Sequence, residues 1–389
     1  MVLIKKDYYV KYDFDEVFVI IKKGGKNMAN SANNNKRQHY YNKVGRLLQE
    51  LPWYVGEFID KRRRKLSPTT LLNYCHDYII FFDWILAESN FTGMRKEIPL
   101  DLLETLTVQQ IEDFLSFLEF QLRNSKQTIN RKLSALKSLF NYLQNIAETT
   151  ELKPYLQRNV MARIEFNDIK EDQETIANRM EGKILRGDEY EQFRQFVAYD
   201  YGQENKNNKK VFNFHKKNFE RDTAIISLIL GSGLRLSEVV GLDLDDIDWK
   251  NSRVRVIRKG NKEQYVYFSE QAMLDLKQYI EIRVQKYTVA KDNKALFIAS
   301  SMGPKGKSRR LTERSIEKIV EKYAVAFGKP ELSVHKLRHS FATRYHLENN
   351  DVPKLRRQLG HSSIQTTMIY THLTNDEMRT AVNNIESKD

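Results

Sequence analysis

At 389 residues the chain exceeds one ordinary compact core, so two domains are expected, and no apolar run approaches the roughly eighteen residues a membrane-spanning helix needs. The single cysteine, Cys75, excludes an internal disulfide and a thiolate metal cluster within one chain, and its helical setting between Tyr74 and His76 reads as a small buried hydrophobe. A formal net charge of +13 favours a polyanionic partner, since each phosphate neutralised by Lys or Arg releases condensed counterions, although a basic enzyme with no such partner fits the charge equally well.

Residues 1–27 differ in character from the rest. The stretch DYYVKYDFDEVFVII alternates like a strand pair, and Asp7, Asp13, Asp15 and Glu16 break up any apolar core a secretory signal would need. Lys23-Gly24-Gly25 can be encoded by a purine-rich stretch resembling a ribosome-binding site just ahead of an ATG at Met28. Two expectations stand side by side: an over-called start with the native protein beginning at Met28, or a short extension serving as a DNA-binding arm. The nucleotide sequence decides between them.

From about Lys43 the pattern is helical. Leu47, Leu48, Leu51, Val55, Phe58 and Ile59 follow i, i+3, i+4 steps and predict a first helix. Ser67-Pro68 is a start signal, with Ser67 as N-cap, for a second helix through Leu71, Leu72, Cys75, Ile79, Phe82 and Ile85. A third spans Ile111–Phe120, and a fourth opens at Ser125 and carries Ile129, Leu133, Leu136, Leu139, Phe140 and Leu143. Four helices with one apolar stripe each predict a small bundle. Its other faces are basic, through Lys61–Lys65, Arg123, Lys126, Arg131, Lys132 and Lys137, and several such clusters on one bundle point to DNA.

Glu151–Gly187, weakly periodic and highly charged, reads as an interdomain linker. Asp188–Tyr201 is predicted helical, Gly202–Lys217 a polar loop, and Ala224–Leu230 an apolar helix. Ser252–Phe268 alternates on either side of Lys259-Gly260-Asn261-Lys262, which predicts a β-hairpin.

Four motifs carry chemistry. Gly231 and Gly233 are expected to let the chain turn so that Arg235 opens the next helix; Lys259 sits on the hairpin; His335 and Arg338 share a helical face; and His361 precedes Tyr370. Singly, each has a bland structural reading. Together they suit phosphoryl transfer: two guanidiniums can fork onto phosphate oxygens, imidazoles handle protons near neutrality, a lysine can protonate a leaving oxygen, and a phenol can attack as a covalent nucleophile. No carboxylate cluster with metal spacing accompanies the histidines, no G-x-S-x-G elbow is present, and Gly231-Ser-Gly-Leu-Arg is not a phosphate loop.

GLRLSEVVGL, the hairpin RKGNKE, HKLRHSFATRY and LGHSSIQTTMIYTHL resemble the tyrosine recombinase (phage integrase) family, and most of all its Xer branch. PWYVGEFI, SIEKIVEKYAVAF and YTHLTNDE are most similar to the single-protein type within that branch. Lys259 lies 24 residues after Arg235 and Tyr370 nine after His361, as in the family pattern; the hairpin departs from it in carrying Arg258 where a glycine is common. The resemblance implies a mainly α fold. An N-terminal four-helix (SAM-like) core-binding domain would occupy 43–150, a linker 151–187, and a mostly helical catalytic domain with a small β-hairpin or sheet 188–389.

The resemblance also implies roles. Arg235 and Arg338 would clamp the scissile phosphate, His335 and His361 take part in proton transfer and oxygen contacts, and Lys259 would protonate the departing 5′ hydroxyl. Tyr370 would form a 3′-phosphotyrosyl bond, with no cofactor and no metal. Implied partners are double-stranded DNA with inverted-repeat half-sites, a homotetramer on synapsed DNA and a DNA translocase, in a cytoplasmic protein with no membrane association. The programme is expected to be resolution of chromosome dimers at a dif-like site, with phage or transposon integration as the alternative. A type IB topoisomerase shares the chemistry, and a non-catalytic DNA-binding protein would have no need of the six residues. Met378, Ala381, Val382 and Ile385 form a last apolar stripe, for packing on the chain's own domain or on a neighbouring protomer.

Overall fold

A computed structural model describes residues 31–169, 175, 179–180, 182–258, 262–287, 289, 293–300 and 308–371. The expectations for residues 1–27, for Lys259 and the turn Gly260-Asn261, and for the stripe from Met378 to Ile385 lie outside these residues. The chain divides into two compact units, Met1–Ile169 and Lys170–Asp389.

In the first unit the helices are α1 (Ser31–Leu48), α2 (Trp53–Arg62), α3 (Pro68–Glu88), α4 (Leu100–Glu104), α5 (Val108–Ser116) and α6 (Lys126–Asn145). The first predicted helix is thus two. Pro52, at ψ 145°, offers no N–H to the preceding turn and bars the helical conformation at Leu51, so the chain breaks and restarts. Ser67 caps α3 as expected, accepting from the Thr70 N–H at 3.1 Å with Pro68 at the first helical position. Ser125 caps α6 in the same way. The helices close over an aromatic core in which Phe81 meets Phe114 edge-on at 5.2 Å and Tyr142 packs on Phe58 at 5.4 Å.

The segment 151–169, assigned to the linker on its weak periodicity, packs into this core instead. Leu156, Val160, Met161 and Ile164 are buried in it, and Lys137 donates to the carbonyls of Met161 (2.6 Å) and Ile164. Part of the expected basic face is likewise used internally. Asp77 is buried and takes Arg131 at 2.8 Å and the buried Lys132 at 3.4 Å, because a carboxylate removed from water needs its charge met. Lys61, Arg64, Lys65, Arg123 and Lys126 stay exposed.

The second unit contains α7 (Glu189–Gln195), α8 (Tyr201–Glu204), α9 (Lys209–Ser232), α10 (Leu236–Gly241), strands β1 (Ile247–Asp248), β2 (Arg253–Arg258) and β3 (Lys262–Tyr267), then α11 (Glu270–Tyr287), α12 (Glu313–Ala326), α13 (Val334–Asn349), α14 (Val352–Leu359) and α15 (Gln365–Met368). The strands form an antiparallel sheet in the order β1-β2-β3, with Arg253 opposite Tyr267 and Arg258 opposite Lys262. Helix α9 is the centre, packing on α11 and α13. It begins at Lys209, well inside the expected loop, since Asn208 caps it at 3.2 Å and His215, Asn218 and Asp222 continue one buried face. Ile225, Leu228 and Ile229 on α9 share a core with Val254 and Val266 of the sheet, Leu276 of α11, Val320 of α12 and Leu337 of α13. The architecture is mainly α with one small sheet, and no described helix is long and apolar enough to cross a membrane.

Candidate active site

Of the two glycines expected at the turn before Arg235, only Gly233 makes it. Gly233 ends α9 in the left-handed region at φ +68°, and a Cβ there would also lie 2.4 Å from the Phe341 ring. Gly231 is still helical; its role is close approach, as a Cβ would stand 2.4 Å from Ser269 Oγ. The turn places Arg235 at the N-cap of α10, beside a cleft of 410 Å³ bordered by Leu234, Ser237, Ser333, His335 and Arg338.

Glu238, three residues into α10, orients Arg235. Its carboxylate accepts from the Arg235 backbone N–H at 2.9 Å and from Nη1 at 3.0 Å. The Arg258 Nε donates to the same oxygen at 2.9 Å. Burial by itself would raise the Glu238 pKa, but Arg258 and Arg235 together hold it below the usual carboxylate range. Arg235 also donates through Nη2 to the Gly360 carbonyl at 2.9 Å.

Arg338 lies one helical turn past His335 on α13 and is buried. Nη1 donates to the Gly233 carbonyl, and Nη2 to the Leu359 carbonyl at 2.8 Å and to His361 Nε2 at 3.1 Å. Burial and the neighbouring Arg235 lower its pKa to about 10, so it stays charged. Because Arg338 can only donate, His361 Nε2 must accept, which leaves the ring hydrogen on Nδ1 to be donated to Thr367 Oγ1 at 3.0 Å. His361 is thereby fixed as one neutral tautomer.

Tyr370 follows α15 and is only 1% exposed, seated among Met180, Ile184, Ala342, Leu355 and Leu359. Burial raises its phenol to about 12 against the opposing pull of Arg338 and Arg235. Its hydroxyl lies 2.8 Å from Nδ1 of His339, and the His361 ring stacks against it at 6.5 Å with planes 18° apart. His335 meets His339 edge-on at 4.3 Å. The structure therefore links Arg235, His335, Arg338, His361 and Tyr370 in one chain of contacts, with Arg235, His335 and Arg338 lining the cleft, while Lys259 lies outside the described residues.

Three neighbours of these residues escaped the sequence reading. Glu238 stands at capping-box spacing from Arg235, which was a usable signal. His339 stands i+4 from His335 on the same helical face, which was another. Arg258 was noted as a departure, and no local pattern shows what it does. It bridges Glu238 to the end of α14 through the Gln358 carbonyl at 3.0 Å, and its guanidinium lies so close to Gly360 that a Cβ there would fall 1.9 Å from Nη1.

These histidines make stability depend on pH. His339 is held down to about 3 by burial and by His335, Lys336, Arg338 and His361. His361 is held to about 4 by burial and by Arg338, Arg235, Arg258 and His335. Unfolded, both would take protons near pH 6.5, so the unfolded state binds more protons below that value and stability falls as pH drops. The expected result is a lower melting temperature at about pH 5 than at about pH 7.5, with the difference reduced in His339→Asn. Melting curves in matched ionic strength check it; an unchanged slope in the variant would overturn the assignment.

The comparisons with known proteins bear on the same region. The phage integrase family matches residues 184–377. The tyrosine recombinase XerS of Streptococcus gordonii is 37% identical over 362 residues, covering 90% of this chain and 100% of that protein, and XerS of Streptococcus pneumoniae (strain Hungary19A-6) is 38% identical over the same extent. Among solved structures, the XerH site-specific recombinase in a post-cleavage complex with palindromic difH substrate aligns with a TM-score of 0.62 at 20% identity, covering 88% of this chain and 97% of that one. The Tn1549 transposon integrase with transposon right end DNA aligns with a TM-score of 0.55 at 17% identity, over 87% and 99%. Similarity to XerS along the whole length of that relative, with the family match spanning Arg235 to Tyr370, establishes that the chain belongs to the phage integrase family, the tyrosine recombinases.

Proposed function

We propose that this site-specific tyrosine recombinase resolves chromosome dimers by exchanging strands at a dif-like inverted repeat, as a homotetramer on double-stranded DNA. The observation that carries the chemistry is the contact network of two arginines, three histidines and a buried tyrosine hydroxyl, three of whose members line one cleft. The role in chromosome resolution rests on full-length similarity to XerS.

In this reading Arg235 and Arg338 fork onto the scissile phosphate and hold the charge that grows on its oxygens. His361, fixed as a neutral tautomer, holds Arg338 in place, and His335, which lines the cleft, contacts the phosphate oxygens. Tyr370 attacks phosphorus, the bond to the 5′ oxygen breaks, and Lys259 supplies the proton that oxygen takes up. The 3′-phosphotyrosyl link stores the bond energy, so a 5′ hydroxyl from a partner strand reverses the step with no external energy source.

The first unit serves as the DNA clamp through Lys61, Arg64, Lys65, Arg123 and Lys126, whose exposure supports that use. The enzyme acts in the cytoplasm, with a DNA translocase as a further partner.

Tyr370→Phe tests the chemistry. With a nicked suicide duplex, the wild type is expected to form a covalent protein–DNA band, and the variant to bind equally in a gel shift and form none. A covalent band from the variant overturns the assignment of Tyr370. Exchange between two dif-like sites from the host chromosome, against none between phage attachment sites, checks the biological role.

A further inference from the structure

Attack by a phenol requires that its proton go somewhere, and the site offers three histidines. His361 has no nitrogen to spare, since Nε2 accepts from Arg338 and Nδ1 donates to Thr367. His335 lines the cleft and rests against the His339 ring at 4.3 Å, and it is His339 that meets the Tyr370 hydroxyl. His339 alone among the described histidines has a nitrogen at hydrogen-bond distance from the hydroxyl, Nδ1 at 2.8 Å.

Resting on the assignment of Tyr370 as nucleophile, we propose that His339 is the proton acceptor for Tyr370, taking the phenol hydrogen onto Nδ1 during cleavage and returning it during rejoining. With Lys259 in the role proposed for it above, the step balances. The Tyr370 Oη–phosphorus bond forms, the bond from phosphorus to the 5′ oxygen breaks with its electron pair going to that oxygen, and Lys259 protonates it. The phenol proton stays on His339 until the reverse step restores it.

The setting also makes the acceptor dependent on DNA. His335, Lys336 and Arg338 on the same helix and His361 on the facing segment crowd His339 with positive and potentially positive groups. That field, with burial, keeps the free enzyme's imidazole from holding a second proton. A phosphate held between Arg235 and Arg338 brings a negative charge into the same space and offsets it, so His339 gains basicity only when a substrate is in place. The free enzyme thus keeps its nucleophile protonated, buried and hydrogen-bonded.

The test compares His339→Ala and His339→Asn with the full-length wild type on a nicked suicide duplex. Asparagine is close to histidine in shape and can accept a hydrogen bond near the Nδ1 position, but it does not take a proton. Both variants are expected to shift the duplex as the wild type does and to cleave it about 10²–10³-fold more slowly. Their deficit should shrink as pH rises above neutrality, at up to about tenfold per pH unit, because hydroxide then removes the phenol proton. A bridging 5′-phosphorothiolate at the scissile position, whose leaving group needs no acid, should rescue Lys259→Ala and leave the His339 variants slow. Cleavage by His339→Asn within about threefold of wild type, a deficit independent of pH, or rescue by the sulfur substrate would each overturn the proposal. Should the alanine variant fail to bind the duplex, the asparagine variant carries the test. A wild type that forms no adduct through Tyr370 would instead sink the underlying assignment.

Discussion

Replacing Arg338 by alanine is expected to slow strand cleavage about 10³-fold, the cost of removing a preorganised donor from a site where charge develops. The side chain is only 3% exposed, so its hydrogen bonds form in surroundings that screen charge poorly. It also ties three segments together, the Gly233 carbonyl at the end of α9, the Leu359 carbonyl at the end of α14, and His361. Arg338→Lys keeps the charge and loses the fork, and a compact ammonium cannot serve carbonyls on two segments and a phosphate together. Lysine is therefore expected to recover little, remaining about 10²-fold slow. Adduct formation at saturating DNA measures the effect apart from binding. Arg338→Lys cleaving at the wild-type rate would show that charge alone suffices.

The largest loss of stability is expected away from the cleft, at Asp222. This carboxylate is fully buried in the second unit, with one oxygen accepting from Arg221 at 3.0 and 2.7 Å and the other from the Tyr323 hydroxyl at 3.0 Å, beside Lys322 at 3.5 Å. Arg221 is itself 2% exposed, so Asp222→Ala strands a guanidinium in the core and should cost about 3–5 kcal/mol. The informative comparison is Arg221→Met with Asp222→Leu, which removes both charges and keeps the volume. It should cost less than the single change, since the penalty comes from the unpaired charge and not from the loss of the pair. Urea denaturation with equal m-values checks both. A double variant less stable than Asp222→Ala would show that the pair itself holds the fold.

Much of the site was legible because its motifs are local. Helical spacing puts His335 and Arg338 on one face, and a glycine before Arg235 implies the turn that presents it. The missing members depend on chain segments meeting at long range. His339 acquires its meaning from Tyr370, 31 residues on, and Arg258 from Gln358, 100 residues on. Charge runs were ambiguous for another reason. Lys132 and Lys126 look alike in sequence, yet one neutralises buried Asp77 while the other faces solvent. The segment 151–169 hid its core residues because Leu156, Val160, Met161 and Ile164 are set among polar and charged neighbours in largely irregular chain. Pro52, by contrast, was a plain break in the pattern, and the i, i+3, i+4 steps on either side of it concealed the division.

Cys75 has a practical consequence. It is fully buried in α3 and its thiol is pushed up to about 12, chiefly by desolvation, so the folded protein shows thiol reagents almost no thiolate. The native chain is thereby a ready background for site-directed labelling. A cysteine introduced on any exposed position can take a fluorophore or a cross-linker by itself, with the wild-type residue left in place and the core undisturbed.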